Sequence, residues 1–182
     1  MIYVALLRGI NVGGKNLMKM DDLKIVFEKL AFSNVVTYIQ SGNVIFDSKS
    51  KQKESLVGMI EDALQVEFHK PVRVVVRSYE EMKQTLKDIP LLWKSKEDLR
   101  KYIAFVKEPS LAKDIFPQIT INDGVDYLHA ADGVLYMTTR MSGITKSGFT
   151  KIIGKPFYSD LTIRNFNTTQ KIIEMMEGSY EK

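Results

Sequence analysis

Along the first 77 residues, segments with the hydrophobic pattern of a strand alternate with segments that have the hydrophobic spacing of a helix. An unbroken apolar run at Ile2–Leu7 predicts a buried strand. Apolar residues recur at helical spacing over Met20–Phe32 and over Glu54–Phe68. Three further segments, rich in β-branched and aromatic residues, predict strands at Val35–Gln40, Val44–Phe46 and Val72–Arg77. The resulting order, β-α-β-β-α-β, predicts a ferredoxin-like subdomain over residues 1–77.

The pattern from residue 78 to residue 182 is weaker and predicts a second, smaller α+β subdomain. Its predicted helices are Ser78–Leu86, Ser110–Ile115, Ser147–Ile153 and Thr169–Met176. Its predicted strands are Tyr102–Val106 and a hairpin of Val125–Ala130 with Val134–Thr138. The expected fold class is therefore α+β, with a ferredoxin-like half followed by a smaller half.

The amino-acid composition excludes several kinds of functional site. The chain has no cysteine, which excludes disulfides and a cysteine nucleophile, and two histidines are too few for a histidine-rich metal site. We therefore expect neither a metal nor a cofactor. The net charge of +4 is spread evenly along the chain, which is weak support for binding a polyanion. The first apolar run, of six residues, is too short for a signal peptide or a membrane span, so we expect a cytoplasmic protein.

A glycine-rich loop follows the first strand. Residues 9–16, GINVGGKN, approach the phosphate-binding pattern GxxxxGK[ST], with Lys15 at the lysine position. Asn16 replaces the hydroxyl residue that would hold magnesium, and the next helix is predicted to begin only near Met20. Nucleotide hydrolysis by this loop is therefore not expected, and the glycines are explained by a tight turn with positive φ angles.

The predicted topology brings this loop beside the turn at residues 40–43. The end of the first strand, the end of the second and the start of the fourth meet the same edge of an antiparallel sheet. The side chains expected to converge there are Arg8, Asn11, Lys15, Gln40, Ser41 and Asn43. They are donors suited to an anion or a polar planar ligand. The alternative is that Gln40 and Asn43 bond the backbone and only fix the turn.

A second polar segment, Thr162–Lys171, lies near the C-terminal end. Asn167 and Thr168 are explained as helix caps. Arg164 and Asn165 have no such routine role, and they are interpreted either as a bridge to the first half or as ligand contacts.

Three motifs together carry a family resemblance: Leu7–Gly14 (LRGINVGG), Thr37–Val44 (TYIQSGNV) and Thr162–Thr168 (TIRNFNT). In this order they resemble the bacterial family known only as Domain of Unknown Function 1697, over almost the whole chain. Phe166 stands where that family leads us to expect tryptophan. The resemblance implies a cytoplasmic α+β protein with a ferredoxin-like N-terminal part, and it implies no activity, cofactor or catalytic residue.

Three functional hypotheses follow. The first is a pocket between the two halves for a small anionic or nucleotide-like ligand, with no general base assigned and enzymatic activity left open. The second is a nucleic-acid-binding module that uses the basic surface. Tyr3 and Arg77 would resemble a platform for single-stranded RNA if they faced open solvent, but we expect the second half to cover this face of the sheet. The third is a structural or partner-binding protein without catalytic activity.

Overall fold

A computed structural model of the protein describes residues 1–14, 17–50, 52–95 and 98–180. Backbone proximity divides the chain into two compact units. The first comprises Met1–Lys83 and the chain from Gln170 onward, and the second comprises Gln84–Thr169. The sequence predicts one boundary, between residues 77 and 78. Two antiparallel four-stranded sheets with helices confirm the α+β class.

The first unit contains the predicted order of strands and helices. Its elements are β1 (Ile2–Leu7), α1 (Met20–Lys29), β2 (Ser33–Tyr38), β3 (Asn43–Asp47), α2 (Lys53–Phe68) and β4 (Val74–Ser78). The sheet order is β2-β3-β1-β4, and every neighbouring pair is antiparallel. The unbroken apolar run of β1 thus forms an inner strand, and all six of its residues are buried.

One face of this sheet and the apolar faces of α1 and α2 form the core of the first unit. Tyr3 of β1 stacks on Phe46 of β3, with ring centroids 5.8 Å apart. Phe27 of α1 meets the same Phe46 ring edge-on at 5.4 Å. Helix α2 contributes Leu56 and Ile60, both fully buried. Aromatic packing of this kind stabilises a core beyond the area that it buries.

Cross-strand register places Tyr3 and Arg77 on opposite faces of the sheet. Val4 is the residue directly opposite Arg77, so Arg77 shares its sheet face with Val4 and not with Tyr3. Tyr3 lies on the core face and is 1% exposed. Tyr3 and Arg77 therefore cannot form one platform on a single face of the sheet.

Strand β2 forms an edge of the sheet and contains an irregularity. Its pairing with β3 shifts register between Ser33 and Val36, which marks a bulge. Asn34 lies in the bulge with φ 51°, and its side-chain amide donates to the Asp47 carboxylate at 2.7 Å.

Helix α3 (Tyr79–Lys87) begins with a capping box directly after β4. The Ser78 hydroxyl accepts the Glu81 backbone N–H, and the Glu81 carboxylate accepts the Ser78 backbone N–H at 2.8 Å. Lys53 of α2 forms an ion pair with the same carboxylate. Partial burial acts to raise the pKa of Glu81, but the hydrogen bonds from Lys53 and Ser78 outweigh it and hold the pKa below its usual value.

The depressed pKa of Glu81 predicts a loss of stability in acid. As the pH falls, the carboxyl of Glu81 takes up a proton at a higher pH in the unfolded chain than in the folded protein. The contribution of Glu81 to the free energy of unfolding is therefore complete above its usual pKa of 4.5. The contribution is lost as the pH falls through the lower, folded-state pKa. We expect Glu81→Gln to be less stable than wild type in urea at about pH 7, with the difference narrowing at about pH 3.5. Glu80→Gln, an exposed neighbour in the same helical turn, is the control. An unchanged difference at both pH values would contradict the assignment.

The second unit contains the other sheet. Its elements are β5 (Leu99–Val106), α4 (Ala112–Ile115), β6 (Asp126–Ala131), β7 (Val134–Arg140) and β8 (Leu161–Asn165), followed by α5 (Phe166–Tyr180), which continues into the first unit. The order is β6-β7-β5-β8, again antiparallel throughout. Trp93, in the connection before β5, donates its indole N–H to Thr138 and meets Tyr136 edge-on, which fixes this connection to β7.

Three features of the chain from residue 141 onward differ from the predictions. The segment predicted as the helix Ser147–Ile153 contains a 3-10 segment, Gly148–Ile152, which lies between two others, Met141–Lys146 and Pro156–Asp160. Strand β8 was not predicted, because its five residues include Arg164 and Asn165 and show no clear alternation. The last helix begins at Phe166 instead of Thr169, and it continues through Gly178.

Among the described residues, no helix combines the length and apolar character needed to cross a bilayer.

Candidate functional site

The loop after β1 is exposed and adopts left-handed backbone conformations. Gly9, Gly13 and Gly14 have φ angles of 69°, 58° and 72°, which glycine adopts without steric cost. Asn11 has φ 54°, and asparagine is among the few other residues that tolerate this region. Arg8 at the start of the loop is half-buried, and its backbone N–H donates to the Arg73 carbonyl at 2.9 Å.

The Asn11 side chain ties this loop to the chain on either side. Its Oδ1 accepts the Met18 N–H at 2.7 Å, and its Nδ2 donates to the Met18 carbonyl at 3.0 Å. The same Nδ2 donates to the Gln40 carbonyl at 2.9 Å. One amide therefore closes the loop at its far end and joins it to the turn at residues 40–43.

That turn is shaped by two further left-handed residues. Ile39 has φ 48°, which is a strained conformation for a β-branched side chain, and Gly42 has φ 76°. The buried Asn43 donates its amide to the Tyr38 carbonyl at 2.9 Å and to the Ser41 hydroxyl at 3.1 Å. Asn43 thus holds the turn closed from within.

Gly42 packs directly on the loop. Its carbonyl accepts the Leu7 N–H at 2.8 Å. A Cβ placed on Gly42 would lie 2.6 Å from Cδ1 of Ile10 and 2.9 Å from Cβ of Leu7. The turn and the loop are therefore in contact through backbone and side chains alike.

The structure brings the predicted first-half residues to one edge of the sheet. Asn11 and Gln40 touch, Ser41 and Asn43 touch, and Arg8 lies at the root of the same loop. Lys15 lies outside the described residues. Asn11 and Asn43 have clear structural roles, whereas ligand contact by any member of the set stays a prediction.

Removal of the Asn11 amide is expected to loosen this edge. Asn11→Ala eliminates three hydrogen bonds to backbone groups and places alanine at a positive φ, so we expect a loss of about 2 kcal/mol in the free energy of unfolding by urea. Asn11→Gly eliminates the same bonds without backbone strain, and we expect a smaller loss. Equal losses in the two variants would show that the left-handed conformation contributes nothing to the cost.

Arg164 and Asn165 belong to the second unit, at the end of β8. Arg164 is 7% exposed, and burial lowers the pKa of its guanidinium to about 10. Its Nη1 donates to the Ile163 carbonyl at 3.1 Å. The Asn165 side chain accepts the Asn167 N–H at 2.9 Å, so Asn165 caps α5, the role expected of Asn167 and Thr168. Their contribution to the first-unit site stays a prediction.

A buried carboxylate in the second unit was not predicted from the sequence. Asp126 is 2% exposed and accepts four hydrogen bonds, from the backbone of Asn122 and Gly148 and from the hydroxyls of Thr139 and Ser147. A signal was available, because Asp126 is in phase with the core-facing Leu128 and Ala130 of the same strand. Its role is to fasten the 3-10 segments to the sheet.

No group of three or more acidic, histidine or cysteine side chains able to hold a metal ion occurs within residues 1–14, 17–50, 52–95 and 98–180.

Comparisons with known proteins identify a family and a similar solved structure, and neither comes with a described activity. The sequence profile of a family described as "Protein of unknown function (DUF1697)" matches residues 1–136. The fold is similar to that of the conserved bacterial protein SP0830 from Streptococcus pneumoniae, with a TM-score of 0.83 and 29% sequence identity. That similarity covers 96% of this chain and 98% of the other. A comparison with curated proteins finds no match.

Proposed function

Since the chain belongs to the DUF1697 family of proteins of unknown function, we propose its activity from the site itself: it binds a small anionic or nucleotide-like ligand at the loop–turn edge of the first unit. The observation that carries the proposal is the Asn11 amide, which bonds an exposed glycine-rich loop to the exposed Gln40 at the start of the turn. A loop that is already ordered loses little conformational entropy when a ligand binds.

The backbone of this edge supports a ligand-binding role. Gly13 and Gly14 are consecutive left-handed residues on the surface, and they leave space for close approach to the main chain. The strained Ile39 is 45% exposed, so core packing alone does not account for its conformation. Strained residues of this kind cluster at binding sites, where the surrounding structure maintains them.

Charge selects the class of ligand. Arg8 provides a half-exposed guanidinium at the root of the loop, and the exposed amide of Gln40 lies beside Asn11. A guanidinium binds phosphate or carboxylate with two parallel hydrogen bonds, and a side-chain amide can pair with a planar polar group. A phosphate-bearing or nucleotide-like molecule combines these two requirements.

A thermal-shift screen tests the proposal. The panel contains inorganic phosphate, pyrophosphate, nucleoside mono- and triphosphates, and a generic oligonucleotide. A ligand at 100 times its Kd stabilises the folded state by about 2.7 kcal/mol, which is a shift of several degrees at this size. We expect such a shift with a few small anions, and its loss in Arg8→Gln. Lys49→Gln is the matched control, because Lys49 is an exposed cation near the opposite end of the same sheet.

A different pattern of thermal shifts would indicate a different function. A shift only with the oligonucleotide, falling steeply with salt, would indicate nucleic-acid binding through released counterions.

Arg8→Gln should itself cost less than about 1 kcal/mol of stability, as is usual for partly exposed side chains. A cost above about 2 kcal/mol would make Arg8 structural and remove it from the site. Asn165→Asp, which keeps an acceptor for the α5 cap, tests whether Asn165 takes part in binding.

A further inference from the structure

An apolar groove lies on the second unit, between its sheet and the 3-10 segments of residues 141–160. Its floor is formed by Tyr102 of β5, Met137 of β7 and Ile163 of β8, which are neighbours across three adjacent strands. Its wall includes Phe149 and Ile153. The groove has a volume of about 330 Å³, and cavities of about 300–1,000 Å³ are typical of small-molecule sites.

Hydrogen bonds to Asp126 hold the wall of the groove in place. The Asp126 carboxylate accepts the Ser147 hydroxyl and the Gly148 N–H, both at 2.7 Å, and these residues lie immediately before Phe149. The Thr139 hydroxyl on the floor side is also committed to Asp126. The hydroxyls of Ser147 and Thr139 are therefore engaged, and the groove offers a ligand mainly apolar and aromatic surface.

A basic side chain lines the groove. Arg100 lies directly across from Thr139 in the sheet, lines the groove and is exposed. Residues 140–159 contain four basic residues and no acidic one, and three of the four, Lys146, Lys151 and Lys155, are exposed. Arg100 has no hydrogen-bonding or ion-pairing side-chain partner in the described part of the chain. The buried Asp126 carboxylate already accepts four hydrogen bonds.

We infer that this groove binds a small organic anion with a ring-sized apolar body, such as an aromatic carboxylate. The ring packs on Tyr102, Met137, Phe149 and Ile163, where aromatic contact adds to the burial of apolar surface. The carboxylate pairs with the Arg100 guanidinium, which suits the planar geometry of two oxygens. This site is separate from the loop–turn edge of the first unit and does not depend on the function proposed there.

Binding of 1-naphthoate tests the inference against 1-naphthylmethylammonium, which has the same ring system and the opposite charge. Titration calorimetry of the full chain should give a Kd for naphthoate at least about tenfold lower than for the cation. Arg100→Gln should weaken naphthoate binding about tenfold, because it removes a charge-assisted hydrogen bond. Lys113→Gln, which removes an exposed cation outside the groove, should leave the Kd unchanged.

A second pair of variants tests the apolar wall. Ile153 is 68% exposed, so Ile153→Ser should fold normally and still weaken naphthoate binding several-fold. Leu91→Ser, at a site 81% exposed outside the groove, should not change it. The inference is overturned if the cation binds as tightly as naphthoate, if neither probe binds, or if Arg100→Gln and Lys113→Gln have equal effects. Arg8→Gln must leave naphthoate binding unchanged, and a loss there would place the anion at the first-unit edge instead.

Discussion

Asp126→Ala is expected to lower the free energy of unfolding by about 4 kcal/mol, the largest effect of any substitution proposed here. The carboxylate accepts four hydrogen bonds, and the Gly148 N–H among its donors is buried. Alanine leaves these donors without an acceptor, and each buried donor left unsatisfied costs about 1–3 kcal/mol. The 3-10 segments also lose their fastening to β6 and β7.

Urea denaturation measures this effect, with Asp132→Ala as the matched control. Asp132 is exposed in the turn between β6 and β7, so its removal should cost less than about 0.5 kcal/mol. Asp126→Asn should be nearly as damaging as alanine, because an amide nitrogen would face donors. A cost below about 1 kcal/mol for Asp126→Ala would mean that water replaces the carboxylate without penalty.

Gly42→Ala is expected to cost about 3 kcal/mol, through two separate physical causes. Alanine at φ 76° carries the steric penalty of the left-handed region. In addition, the new methyl group would lie 2.6 Å from Ile10 and 2.9 Å from Leu7, so the loop and strand β1 would have to move. Both neighbours are buried and cannot turn aside into solvent.

Gly9→Ala separates the two causes. Gly9 has φ 69°, close to that of Gly42, but a Cβ there would meet nothing within 4 Å. Its cost should therefore be the backbone penalty alone, about 1 kcal/mol. Chemical denaturation of both variants should show at least a twofold difference in cost. Equal costs would mean that the contact between turn and loop yields without penalty.

The first unit was predictable because its sequence signals are local and agree with one another. The apolar run of β1 and the helical spacing of α1 and α2 are each visible within a short window. The capping box at Ser78 and Glu81 marks the start of α3 in the same way. The topology then brought the loop after β1 beside the turn at residues 40–43 before any coordinates were known.

The second unit was predicted less well because distant contacts decide its local structure. Phe149, Ile152 and Ile153 have helical spacing, but Ser147 and Gly148 are held by Asp126, more than twenty residues earlier. A Cβ on Gly148 would also lie 2.6 Å from the Thr120 carbonyl oxygen, so this backbone packs too closely for an ordinary helix. Strand β8 depends on its pairing with β5, and five residues carry too little pattern to reveal it.

The candidate site was predicted as a set of residues, and the alternative role, in which Asn43 bonds the backbone and fixes the turn, is the one that the Asn43 amide has. The role of Asn11 was not predicted. Nothing in the sequence shows that Asn11 bonds residues 7 and 29 positions away. Asparagine tolerates the left-handed conformation, but Asn43 does not adopt it. The left-handed residues are instead Ile39 and Gly42, and Asn43 acts through its buried amide. A role that depends on backbone angles and remote partners requires coordinates.

The bulge in β2 bears on how the protein avoids aggregation. An edge strand presents unpaired backbone groups to any other chain, and Val36 adds an exposed apolar side chain to this edge. The bulge at Asn34, fastened to Asp47, breaks the regular ladder and leaves only the stretch from Val36 to Tyr38 in uninterrupted register. Three residues are too few to template a stable intermolecular strand, so this irregularity protects the edge in concentrated solution.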